Sequence, residues 1–109
     1  MTLKNILDET YEQLHRHRLV STQYEFSRKW LKRSDGYYAY LRSTGAETTG
    51  DVALALWAEC RKQKRQWLKA TKRHQNNELI RVFFKGMAEK TEQLEQNVSE
   101  AVMERYSNS

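Results

Sequence analysis

No proline occurs anywhere in this chain of 109 residues, and glycine occurs only four times. Proline is the strongest helix breaker and glycine the commonest loop residue, so their scarcity favours helices joined by short turns. Charged residues make up 30% and hydrophobic ones 39%, which supports one modest core and argues against a disordered chain. The fold class expected is all-α: a small helical bundle, roughly 70% helical and without strands.

Periodicity places the helices. Leu3, Ile6, Leu7, Tyr11 and Leu14 recur three and four apart, predicting a first helix over 3–18 that ends near Leu19-Val20. Thr22-Gln23-Tyr24-Glu25 has the form of a capping box, and Phe26, Trp30 and Leu31 face inward on the helix it opens. Ser34-Asp35-Gly36 breaks that helix, and Tyr38 and Leu41, three apart, mark a short third one over about 36–43. Thr49 or Gly50 caps a fourth, whose stripe runs through Ala53, Leu56, Trp57, Cys60, Trp67 and Leu68.

His74-Gln75-Asn76-Asn77 interrupts the pattern, with Asn76 or Asn77 placed to cap a last helix. With no Pro or Gly there, one continuous helix from 51 to 106 stays open beside the hairpin alternative. Phe84, Met87, Thr91, Leu94, Val98 and Ala101 then alternate three and four apart, as a coiled-coil seam does. The expected organisation is a helical domain over 1–73 and a C-terminal helix over 78–106 that packs back or dimerises. The dimer contact is assigned to Phe84, Met87, Leu94, Val98 and Ala101.

Net charge is +5, unevenly spread. Residues 51–77 carry seven basic and two acidic side chains, whereas 78–109 carry four and six, so the positive field centres on Arg61 to Arg73. A basic helix can track a phosphate backbone through counterion release. In an antiparallel hairpin, Glu89, Glu92 and Glu95 could balance part of that charge, though such surface pairs contribute only about 0–1 kcal/mol each.

The stretch 22–60 resembles the helix-turn-helix of lambda-repressor and Cro-like regulators. Thr22-Gln23-Tyr24-Glu25-Phe26-Ser27 has the shape of that family's Ser-Gln-x-x-Leu-Ala, with Phe26 buried and Ser27 small where two helices cross. Ser34-x-x-x-Tyr38-x-x-Leu41 matches its capped recognition helix, and Gly45, a loop and the Val52 to Leu56 helix follow in order. Lys32 stands where the family's turn usually has glycine, and the turn is one residue longer. The resemblance implies a central helix-turn-helix, sequence-directed binding of double-stranded DNA, and a role as a small transcriptional regulator. Gln23 would then hydrogen-bond a phosphate. Ser34 would cap the recognition helix, and Tyr37 and Tyr40 would enter the major groove. Arg33, Arg42, Arg61, Lys62 and Arg65 would neutralise phosphates.

Two other readings stay open: a protein-interaction adaptor or inhibitor gripped through tyrosines and charged helices, and RNA binding through the basic helix. A homodimer is expected in the leading case. No catalytic or cofactor constellation stands out. Glu12-Gln13-Leu14-His15 has the spacing of a di-iron ligand pair, but the second pair such a site needs is absent, so no metal is expected. A lone Cys60 excludes an internal disulfide and suits a reducing compartment. Met1 to Glu9 lacks the apolar run of a signal peptide, and the longest apolar stretch, Val52 to Ala58, is too short for a membrane span. A cytoplasmic protein that binds no membrane is expected.

Overall fold

The computed structural model describes residues 2–107. It is 79% helical, with no strand among the described residues. The elements are α1 (Leu3–Arg16), α2 (Gln23–Glu25, continuing through a wider turn at Phe26–Trp30), α3 (Tyr37–Thr44), α4 (Gly50–Arg73) and α5 (Glu78–Ser107). No helix is long and apolar enough to cross a membrane among the described residues.

Caps set the helix starts. The Thr2 hydroxyl accepts from the Asn5 N–H at 3.1 Å to open α1, and the Thr22 hydroxyl accepts from the Glu25 N–H at 3.1 Å to open α2. The chain leaves α1 through Arg18, whose φ of 60° is left-handed, while the Leu19 N–H reaches the Leu14 carbonyl at 2.8 Å. A residue with a Cβ is strained there by roughly 1–2 kcal/mol. Arg18→Gly should therefore raise the melting temperature by a few degrees, after the entropic cost of glycine in the unfolded chain is subtracted. An unchanged or lower melting temperature would mean that the Arg18 side chain contributes more than its backbone strain removes.

α2 begins as an α-helix and then widens, the Leu31 N–H donating to the Phe26 carbonyl at 3.0 Å. This i→i+5 turn lets Phe26, Ser27, Trp30 and Leu31 all face inward. Phe26, Trp30 and Tyr38 are wholly buried. The Phe26 ring stands edge-on to Tyr38 at 4.9 Å and to Tyr11 at 5.2 Å.

The continuous-helix alternative is not what forms. α4 stops at Arg73, and Asn77 opens α5 by accepting from the Ile80 N–H at 3.2 Å through its side chain. α4 and α5 make an antiparallel hairpin in which Glu95 takes Lys64 at 2.7 Å and Arg61 at 3.7 Å. Of the three glutamates expected to balance the basic helix, Glu95 is the one that pairs with it among the described residues.

One core joins the head helices α1–α3 to the hairpin, running from Leu3, Ile6 and Leu14 through Leu56 and Cys60 to Leu94 and Val98. The C-terminal helix thus packs back on the residues before it, one of the two arrangements expected of it. The seam also changes owner. Met87, Leu94, Val98 and Ala101 are buried within this single chain, and Phe84 is half-buried against Trp67 at 5.5 Å. The three-and-four spacing records a helix that packs on its own neighbours, so these residues are not free for a second copy.

Candidate nucleic-acid interface

The α2–turn–α3 unit is held at its crossing by Ser27. Its hydroxyl donates to the Gln23 carbonyl at 2.9 Å and accepts from the Tyr38 N–H at 3.0 Å, tying the first residue of α2 to the second residue of α3. A small residue is required there for the helices to approach, and the hydroxyl also satisfies an N–H that α3 leaves without an intrahelical partner. Between the helices, Lys32 adopts φ 59°. This is the left-handed conformation that glycine supplies most easily, so lysine occupies a glycine-like backbone position.

Ion pairs brace the turn. Arg28 reaches Asp35 at 3.2 Å, Arg33 pairs with Asp51, and Lys32 reaches Glu59 at 3.1 Å. Glu59 is buried, and Gln63 donates to its other oxygen at 2.9 Å, so Lys32 and Gln63 together compensate a carboxylate that would otherwise be costly inside the protein. The Thr49 hydroxyl, and after it Arg33, hold the exposed Asp51 carboxyl below its ordinary value.

α3 is amphipathic in the sense that a reading helix needs. Tyr38 and Leu41 are buried, whereas Ala39, Tyr40, Arg42 and Ser43 face solvent, Tyr40 at 58% exposure. Tyr37, assigned by sequence to base contact, is half-buried and shares a 2.8 Å hydrogen bond with the buried Thr48. Its hydroxyl anchors the loop after α3, which corrects the role expected of it. Tyr38 donates to Asp8 at 2.6 Å, and burial, followed by that carboxylate, pushes its hydroxyl above the ordinary range.

The remaining sequence-assigned residues divide into engaged and free. Arg33 is engaged with Asp51, and Arg61 with Glu95 and with the Trp57 ring at 5.1 Å. Gln23 is half-buried at the start of α2, and Ser34 is exposed in the turn, where its carbonyl rather than its hydroxyl meets the Tyr37 N–H at 3.1 Å. Arg42 lies over the Tyr38 ring at 5.8 Å and forms no ion pair among the described residues. Lys62 and Arg65 are exposed on α4 and form no ion pair among the described residues. They lie about 15–20 Å along α4 from Asp51, from the helical rise.

Sequence reasoning passed over Ser43, which shares the outward face of α3 with Ala39. It also expected Trp57 and Trp67 in the core, where both are only half-buried. No curated protein and no solved structure matches the chain. A family model does match over residues 7–108, nearly the whole chain, and on that ground the protein belongs to DUF6626, a family of unknown function.

Proposed function

We propose that this protein binds double-stranded DNA, with α3 entering the major groove, and acts as a small regulator of transcription. The observation that carries this reading is the two-sided state of α3: pinned through Ser27 and Tyr38 on one side, open at Ala39, Tyr40 and Ser43 on the other. Tyr40 offers a hydroxyl to base edges and a ring to thymine methyls. Arg42 beside it, with Lys62 and Arg65 farther along α4, would meet phosphates and set register without reading sequence. Arg33 would join them only by exchanging Asp51 for a phosphate.

One feature favours a second reading, docking of another protein on the same face. Three of the cations near the turn, Arg28, Lys32 and Arg33, are already matched by carboxylates, which lowers the positive field where a duplex would lie.

Titration of fluorescent duplexes separates the two. Duplexes enriched from a random pool should lose about five- to a hundredfold in affinity with Tyr40→Ala, while random duplex changes little. The Lys62→Ala, Arg65→Ala double variant should weaken both alike and reduce the log–log salt slope by about 0.9 per lost contact. Absence of binding to any duplex at about 50 mM salt would end the DNA reading.

A further inference from the structure

Toward the tip of the hairpin, α4 and α5 leave an open groove of about 720 Å³ between them. Its floor is aromatic: Trp67 and Phe84 are both half-buried there, with ring centroids 5.5 Å apart and planes tilted by 33°. Lys69, Lys72 and Arg73 line the same groove, and none of them forms an ion pair among the described residues. The lining contains no carboxylate. Other grooves of the molecule balance their charge. Glu9 and Glu12 share one with His17 and Lys90, and Glu92, Glu95 and Glu100 share another with Lys64. The Trp67 Nε1–H is buried without an acceptor in the chain, where a buried indole usually has one.

We infer that this groove binds a nucleoside di- or triphosphate, its base against the Trp67 and Phe84 rings and its phosphates among Lys69, Lys72 and Arg73. The two halves of the lining call for the two halves of such a ligand. A planar base gains from stacking on an accessible aromatic face. Uncompensated Lys and Arg side chains favour phosphate oxygens, to which they make charge-assisted hydrogen bonds. From Lys69 to Arg73 the helix rises only about 6 Å, so the three charges gather in one place. The phosphates of a nucleic-acid strand are strung out along its length, and a single carboxylate would leave two of the cations unmatched. Gln66, also on the lining, carries an amide with both donors and an acceptor for the edge of a base. The volume lies within the range of small-ligand sites, about 300–1,000 Å³.

The inference goes beyond duplex binding, since the groove shares no residue with the outward face of α3 or with the phosphate contacts proposed for it, and it is tested without duplex. Calorimetric titration of the full chain with adenosine triphosphate, at about 50 mM salt and without divalent cations, should give a dissociation constant on the order of 10–100 µM. Adenosine monophosphate and ring-free tripolyphosphate should each bind at least about tenfold more weakly, the first for want of charge and the second for want of a base. The Lys69→Ala, Lys72→Ala double variant should lose at least about tenfold in affinity. The Arg16→Ala, Arg105→Ala double variant removes the same charge from exposed positions outside the groove and should change affinity less than about threefold, because distant charges are screened. Trp67→Phe should stay within about threefold of the wild type, and Trp67→Leu should lose about tenfold, with melting of the free proteins to check that each is folded. No binding of the triphosphate up to about 1 mM would overturn the proposal. Tripolyphosphate binding as tightly as the nucleotide, equal losses in the two charge variants, or Trp67→Leu binding like the wild type would do the same. A thymidine oligonucleotide that binds more tightly per phosphate than the triphosphate would give the groove to a strand instead and overturn it too.

Discussion

Phe26→Ala should be among the most damaging single substitutions in this protein, lowering stability by about 3–5 kcal/mol. Phe26 is wholly buried and its ring meets Tyr11 of α1 and Tyr38 of α3, so one side chain links all three head helices. Truncation removes its transfer free energy and leaves a space that only rearrangement of three helices could close. Small domains have about 5–15 kcal/mol in total, and this one belongs toward the lower end. A fall in melting temperature of roughly 15–30 °C by circular dichroism is expected. Leu79→Ala, where the side chain contacts solvent, should change it by less than a few degrees. If the two variants melted alike, Phe26 would not be the junction described.

A second large effect should come from alkali. Burial, followed by the Glu95 and Glu59 charges, pushes the Cys60 thiol from near 9 up to about 12. Tyr38 is displaced upward as well, by burial first and then by Asp8. Both groups are neutral when protonated, so a raised folded-state value favours the protonated native protein. Their contribution is complete below the unfolded values, about 8.5 for the thiol and 10 for the phenol, and is lost as pH climbs toward the folded ones. For Cys60 alone the displacement corresponds to about 4 kcal/mol by pH 12. Urea midpoints should therefore hold level between about pH 6 and 8 and fall steeply from about pH 9 upward. Cys60→Ala should flatten the early part of the fall, and Tyr38→Phe the later part. A fall that is identical in both variants would assign alkaline unfolding to other groups.

The sequence was legible where a residue's role is local or its period is long. α1, the cap at Thr22, a cap at Asn76 or Asn77, and the inward set Phe26, Trp30, Tyr38 and Leu41 follow from spacing and side-chain chemistry alone. Periodicity states that a helix has a buried face but not what buries it. For that reason the seam through Leu94 and Val98 pointed to a second copy when the head covers it instead. The exposure of Leu79, Val82 and Phe83 was hidden behind that stronger pattern. Pairings that fold into place between distant residues, such as Lys32 with Glu59 and Tyr37 with Thr48, leave no spacing signal, since they depend on how α4 lies against the turn. They changed the reading of the candidate site more than any helix boundary did.

The wide turn of α2 also has a bearing on how such a chain could vary. An i→i+5 turn holds one residue more than an α-turn in the same place. The additional residue sits inside the helix at 26–31, where the Leu31 N–H meets the Phe26 carbonyl, rather than in the exposed turn. A related chain lacking one residue there could close the bulge into ordinary α spacing and keep Ser27, Tyr38 and the outward face of α3 in register. Length differences in this segment are therefore compatible with an unchanged frame.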